Sequence, residues 1–396
     1  MAGFLFLPLA ALALDLLVGD PPSWPHPVRL IGRILDRLEA LIQPETGCPK
    51  PSDGSAPGEN ARPLDVGAPG KKDACLSPAR KRVLGLVVTA SLGLGVFGAV
   101  WGLTAIPMIG GAISLILAFW GLALGQLLRE ARHVAGLIRS QRLDEARLAL
   151  SMLVSRETAH LDAAGLWRAL AETLSENFCD AFVAPYFFLC LGGAPLLWLH
   201  KTISTMDSMW GYKTARYIDL GRAGARADDL LAFFPARIAA FALFAAGAVM
   251  ERGAAQGTGI GAGSEAGGAG IGAERGTEQG AGRGTGRGVG QRVGCGIRRS
   301  WAKVAADARK TASPNAGWPM AAAAWVCQAS MGGPAVYFGE RFEKPTLGPE
   351  ATQWNTDNFS MLLKLVIRAA LGIALFFPVI FWAGRYVFVK FVCGLC

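Results

Sequence analysis

The chain has 396 residues, of which 52% are hydrophobic and only 17% charged, and its mean hydropathy is positive, a combination rarely found in a water-soluble globular protein of this size. The formal net charge of +9 comes from Lys and Arg placed in the connections between apolar runs, as the positive-inside rule expects of cytoplasmic loops. Composition therefore sets aside a soluble enzyme and favours a polytopic membrane protein.

A helix needs roughly 20 apolar residues to cross a hydrocarbon core of about 30 Å. The first run, Phe4 to Val18, has the look of a secretory signal, but no Lys or Arg precedes it and the first basic residue is Arg29. It is read as a retained span. Asp15 lies near its end, where an ionisable group is costly: either it is functional, or it reaches the interface and ends the helix. Pro21, Pro22, Pro25 and Pro27 stiffen the stretch after this run and hold Asp20, His26 and Arg29 on a rigid interfacial loop.

Residues 44–78 are rich in Pro, Gly and charge and cannot bury enough apolar surface to offset their ordering entropy, so they read as a disordered insert. Val83 to Ile106 and Met108 to Leu128 form a tight helical hairpin about Pro107. Arg129 to Asp180 turns amphipathic, with Leu143, Ala146, Leu150 and Leu153 at helical spacing. About ten Lys or Arg lie between Gly19 and Arg82 and about seven between Arg129 and Asp180, which puts both segments in the cytoplasm and the amino terminus outside. Glu172, Glu176 and Asp180 recur every fourth residue, so on a helix these three carboxylates share one face. Their mutual repulsion is relieved either by a divalent cation such as Mg²⁺ or by solvation of the whole face.

Phe182 to Leu199 is apolar but broken by Pro185, Gly192, Gly193 and Pro195. It leads into the densest polar stretch of the chain, Lys201 to Asp229, which carries Asp207, Ser208, Tyr212, Lys213, Arg216 and Arg226. Lys213, Arg216 and Arg226 suit phosphate or carboxylate groups, and one of Asp228 and Asp229 is read as a cap before Leu230. A further run, Leu230 to Met250, precedes the Gly-dominated residues 253–296. That tract lacks aromatics for base stacking, so it reads as a second disordered insert and not as a nucleic-acid site. Ser313 and Asn315 open an Ala-rich helix, either capping it or receiving an anion at its free donors. Ala316 to Met331 is too short to span, and Leu362 to Trp382 is the last membrane run. Nothing alternates with period two for long enough to suggest a sheet. The expected architecture is all-α, a single membrane-embedded domain with about 5–7 apolar segments. The eight cysteines show no spacing of a disulfide framework.

Several of these stretches together resemble one family. Asp15-Leu-Leu-Val-Gly-Asp-Pro-Pro with Pro25-His-Pro-Val-Arg-Leu-Ile-Gly32, then Ser175-Glu-Asn177 with Asp180 and Val183-Ala-Pro185, are similar to signatures of the CobD/CbiB family of cobalamin biosynthesis, the adenosylcobinamide-phosphate synthases. Asp207-Ser-Met-Trp-Gly-Tyr-Lys213, Arg216-Tyr-Ile-Asp219, Ala225-Arg-Ala-Asp-Asp-Leu230, Ser313-Pro-Asn-Ala-Gly-Trp-Pro319 and Gly332-Gly-Pro-Ala-Val-Tyr337 continue the resemblance. It spans nearly the whole chain apart from the two inserts.

The resemblance implies an ATP- and Mg²⁺-dependent amide ligase of the bacterial inner membrane. Such an enzyme joins (R)-1-amino-2-propanol O-phosphate, or an ethanolamine phosphate, to a carboxylate of adenosylcobyric acid. Under that reading Glu176, Asp180 and Asp207, with Asp20, are the metal–nucleotide candidates, and Glu176, Asp207, His26 and Lys213 the catalytic ones. Arg29, Ser208, Tyr212, Arg216, Arg226, Ser313 and Asn315 are the candidates for binding substrate and phosphate, and other pathway enzymes are candidate partners beside membrane lipid. The rival readings are a transporter for an anionic substrate and a non-catalytic scaffold for corrinoid enzymes. A cytosolic nucleotide also imposes a topological demand. If both runs flanking Lys201 to Asp229 cross fully, that stretch faces away from ATP, so at least one pair of these segments is expected to bend back and leave all the polar clusters on the cytoplasmic side.

Overall fold

A computed structural model describes residues 2–19, 24, 26–43, 76–212, 214, 216–257, 300–337, 339–350 and 352–393. The two inserts read from composition fall largely outside these residues, as do Asp20 and Lys213. The first half consists of α1 (Ala2–Leu17), α2 (Pro27–Ile42), α3 (Pro78–Thr104), α4 (Gly110–Gly121), α5 (Leu124–Arg139), α6 (Leu143–Ser151) and α7 (Ala163–Phe178). A π-helical turn, Cys179–Val183, links α7 to α8 (Ala184–Trp210). Next come α9 (Arg222–Leu231), α10 (Phe233–Gly257), α11 (Trp301–Ala308), α12 (Gly317–Cys327), an antiparallel hairpin of β1 (Met331–Tyr337) and β2 (Glu340–Leu347), and α13 (Thr356–Cys393). The all-α expectation holds, with this one β-hairpin added.

Among the described residues, five helical segments are long and apolar enough to cross a membrane: Pro78–Thr104, Gly110–Arg139, Ala163–Trp210, Phe233–Arg252 and Thr356–Gly384. The first apolar run, expected to be a span, is a 16-residue helix, shorter than these five. At 1.5 Å per residue its length is about 24 Å, less than a hydrocarbon core. α12, at 11 residues, is shorter still.

The segment Ala163–Trp210 is not one rod. Within α8 the backbone leaves helical geometry at Gly192 (φ −145°, ψ 18°) and Gly193 (φ 74°, ψ −166°). The second pair of angles belongs to a region that only glycine occupies without strain. Phe188 and His200 lie on either side of this break, and their rings stack with centroids 5.0 Å apart. In an uninterrupted helix twelve residues would separate them by about 18 Å. The chain therefore folds back on itself, and Asp180 on one limb shares a cavity with Lys201 on the other. The other candidate for bending, Phe233–Arg252, is a continuous helix.

Close packing fixes the returning limb of α8. Gly121 of α4 lies where a Cβ would stand 2.1 Å from Leu197, and the Trp198 indole donates to the Leu117 carbonyl at 2.9 Å. Gly93 of α3 packs beside Leu199, and Gly85 lies so near the Leu220 carbonyl that a Cβ there would approach it to 2.0 Å. Small residues let α3 and α4 approach the hairpin closely, the usual basis of helix association in lipid.

Replacing Gly193 by Ala is expected to cost about 1–3 kcal/mol, because the new Cβ meets a forbidden backbone region. Gly98→Ala in α3, where nothing lies within 4 Å, is the control. Thermal unfolding in detergent should show a lowered midpoint for the first variant and none for the second, and equal midpoints would remove the glycine-dependent reversal.

Candidate functional site

The reversal at Gly192 and Gly193 carries Asp180 on one limb back to Lys201, Ser204 and Ser208 on the other. These four side chains, with Asn177, Thr205, His26, Arg29, Val28, Trp120, Ala123 and Ala181, line a cavity of about 490 Å³. A second cavity of about 450 Å³ adjoins it and shares Asn177, Asp180 and Ser208. Its walls add Arg156, Glu172, Glu176, Asp207, Gly211, Tyr212 and Lys344. The first three sequence clusters therefore converge, although some 180 residues separate His26 from Asp207.

Local structure places each group. His26 caps α2: its Nδ1 accepts from the Val28 amide at 3.2 Å, which fixes the ring beside the cavity. The π-helical turn adds a residue to the α7 ladder and turns Asp180 toward the opposite limb, as π-bulges at functional sites commonly do. Gly211 ends α8 with its amide donating to the Asp207 carbonyl at 2.6 Å, and a Cβ there would lie 2.2 Å from the Asp207 carboxylate. Only glycine allows the chain to turn so close to that aspartate.

Glu172 does not belong to an open acidic face. It is buried, pairs with Arg156 at 2.5 Å, and accepts from the Gly332 amide at 2.7 Å. That second bond ties down the β-hairpin, which Glu157 also holds by donating its amide to the Val336 carbonyl and accepting from the Gly339 amide. Held there, the β-hairpin brings Lys344 of β2 to the acid cavity.

Asp228 sits in α9 beside this cluster. Burial, with the like charges of Asp180, Asp207 and Asp229 and despite Lys201, pushes its carboxyl up to about 8. So close a set of acids has much to gain from a cation. Among the described residues no three His, Cys, Asp or Glu side chains stand close enough to hold a metal by themselves. Mg²⁺ needs only one or two carboxylates when substrate phosphates complete its shell, so Glu176 and Asp180 would suit a metal that arrives with a phosphate.

The remaining candidates do different work. The Arg216 guanidinium binds Glu39 at 2.6 Å and the Tyr217 hydroxyl donates to the same carboxylate at 2.8 Å, so this arginine ties the 211–221 loop to α2 and does not face a cavity. Ser313 accepts from the Asn315 and Ala316 amides at 3.3 and 3.2 Å. Asn315 is buried and donates to the Asp229 carbonyl at 2.8 Å, while Arg237 donates to its side-chain oxygen at 3.3 Å. Asn315 thus joins the start of α12 to α9 and α10, Ser313 holds the turn before α12, and neither lines these two cavities. Asp228 and Asp229 lie inside α9 and not at a cap before Leu230. Asp15 is buried and its carboxylate accepts from the Gly125 amide at 2.9 Å, which caps the start of α5. Arg226 and Tyr212 line a third cavity, between α3 and α9.

Sequence reading assigned no role to Lys201, Asn177, Arg156 or Lys344. Lys201 carried a usable signal, since an ionisable residue directly after an apolar run is costly unless it is used. Lys344 and Arg156 carried none, because tertiary contacts alone bring them in.

The chain matches the family described as CobD/Cbib protein over residues 8–366. It is similar to "Cobalamin biosynthesis protein CobD" of Klebsiella pneumoniae, at 32% identity over 93% of this chain and 95% of that protein. The protein of the same description from Photorhabdus laumondii is 32% identical over 91% of this chain and 92% of its own length. "Cobalamin biosynthesis protein CbiB" of Salmonella typhi is 31% identical over 92% of this chain and 94% of its own length. No solved structure matches the chain.

The raised carboxyl of Asp228 makes stability depend on pH. Its folded-state value lies above the ordinary one, so its contribution to stability is complete below about pH 4 and is lost as pH rises through about 8. Asp228→Asn escapes that loss. Melting curves from pH 4 to pH 9 should show the variant gaining steadily on the native protein, and a constant difference across the range would contradict the burial of this acid among Asp180, Asp207 and Asp229.

Proposed function

The chain belongs to the CobD/CbiB family, and we propose that within cobalamin biosynthesis it is the ATP-dependent ligase joining an aminoalcohol phosphate to a propionate carboxylate of adenosylcobyric acid. The observation that carries this reading is the hairpin that gathers Asp180, Asp207 and Glu176 with Lys201 and Lys344 into two joined cavities. A carboxylate is a poor acyl donor. One of its oxygens attacks the γ-phosphorus of ATP, the bond to the β-phosphate oxygen breaks, and ADP leaves. The amine nitrogen then attacks the acyl carbon of the mixed anhydride, and inorganic phosphate departs with the electrons of the broken C–O bond.

Every reactant is anionic or carries phosphate, so catalysis of this kind rests on positioning and charge stabilisation. Glu176 and Asp180 would hold Mg²⁺, which on binding supplies charge neutralisation for the phosphates. Lys201 and Arg29 suit the phosphate of the small aminoalcohol in the cavity they line. Asp207, next to the shared wall, takes the proton that the ammonium must lose before it can attack. His26 keeps its Nδ1 on the α2 amide and serves to orient that wall. Both cavities open toward the cytoplasm in this reading, on the leaflet of the inner membrane where ATP is supplied.

Purified protein given Mg-ATP, adenosylcobyric acid and (R)-1-amino-2-propanol O-phosphate should form adenosylcobinamide phosphate with ADP and phosphate in equal amounts. Chelation of Mg²⁺ should abolish turnover, and Asp207→Asn should lower it about 100-fold or more, the scale of a lost general base. Release of AMP and pyrophosphate would contradict the acyl phosphate. Uptake of substrate into vesicles with no ATP consumed would replace the ligase by a transporter.

A further inference from the structure

The third cavity, of about 500 Å³, is used by none of the steps above. It lies between the start of α3, the 211–221 loop and α9, and its walls include Arg82, Tyr212, Asp219, Arg222, Arg226 and Asp229. Two of its cations differ from Arg82 beside them. Arg82 is paired with Asp219 at 2.7 Å and Arg156 with Glu172. Lys201 lies in the field of Asp15, Asp180 and Asp228, and Arg29 and Lys344 also have partners. Among the described cations lining this third cavity, Arg222 and Arg226 have neither an ion pair nor a hydrogen bond.

They stand four residues apart on α9, so both side chains leave the same helix face. Two adjacent guanidinium groups without a counter-ion repel each other, and a polyanion reverses that repulsion while matching their forked donors. The cavity is also joined to the acid cavity, because Gly211 and Tyr212 line both. An elongated polyphosphate could lie against the two arginines and extend its terminal phosphate past Gly211 to the carboxylates. At Gly211 there is no side chain to block the way, and any Cβ would collide with Asp207.

We infer that Arg222 and Arg226 bind the phosphate chain of the nucleotide, and that the aminoalcohol phosphate occupies the separate cavity of Arg29 and Lys201. This rests on the ligase reading. It divides the site into a nucleotide arm beside α9 and an amine arm beside α2, with Asp180 and Asp207 where the arms meet. The same chemistry would suit the phosphate of an anionic lipid, so the test separates the two.

The test measures affinity of the full-length protein, in phosphatidylcholine nanodiscs with Mg²⁺, for AMP-PNP by equilibrium dialysis and for the aminoalcohol phosphate by calorimetry. Arg222→Gln and Arg226→Gln should each weaken AMP-PNP roughly tenfold, the scale of one lost charged hydrogen-bonding group, with the aminoalcohol phosphate held as before. Both side chains are exposed, so neither change threatens the fold. Phosphatidylglycerol added to the nanodiscs should leave nucleotide affinity unchanged. Nucleotide binding that survives both substitutions, or arginine-dependent capture of phosphatidylglycerol in place of nucleotide, overturns the assignment and leaves the ligase reading standing. A native protein that binds no nucleotide at all ends both.

Discussion

A polypeptide inside hydrocarbon must satisfy its own backbone hydrogen bonds, and the reversal at Gly192 and Gly193 is where this chain meets that requirement in a non-helical conformation. The break is tolerated because protein packs against its flanks. Phe188 stacks on His200 across the turn, Leu197 fills the notch left by Gly121, and Trp198 satisfies the Leu117 carbonyl. Remove the turn and Asp180 and Asp207 would be some 40 Å apart on one straight helix. With it, they share a cavity wall.

The rest of the site is built outward from that hairpin. Several neighbouring elements contribute through their ends: the last turn of α1 through Asp15, the cap of α2 through His26, the start of α5 through Gly125. Helix ends have unsatisfied donors and acceptors, so polar side chains placed there serve structure and site together. Asp15 illustrates the point. It caps α5 with one oxygen and contributes negative charge to the surroundings of Lys201.

Outside this ring the polar residues mostly hold the ring in place. Glu39 receives Arg216 and Tyr217, fastening the 211–221 loop to α2. Glu172 receives Arg156 and the Gly332 amide, fastening the β-hairpin over the acid cavity. Asn315 fastens α9 and α10 to α12. Breaking such a buried pair leaves an uncompensated charge, so these residues are as constrained as those that touch substrate. A motif pattern cannot distinguish the two kinds.

That limit explains what was legible in the sequence. Membrane class, helical content, the amphipathic segment at Leu143 to Leu153 and the approximate apolar runs follow from local composition and period, because desolvation in lipid dictates them residue by residue. The need for a reversal near Gly192 was also legible, from two glycines and two prolines in an apolar run between polar clusters. The roles of Arg216 and Asn315 were not, because a guanidinium or amide has the same identity whether it meets a phosphate or a buried polar group. Lys344 and Arg156 enter the site through contacts made far along the chain, and Arg222 stands out only because, like Arg226 and unlike Arg82, it has no ion pair. The sequence by itself determined which segments leave water and which polar residues are present near their ends. Only the tertiary structure decided which of those charges neutralise one another, since pairing depends on distance in space and not on order along the chain.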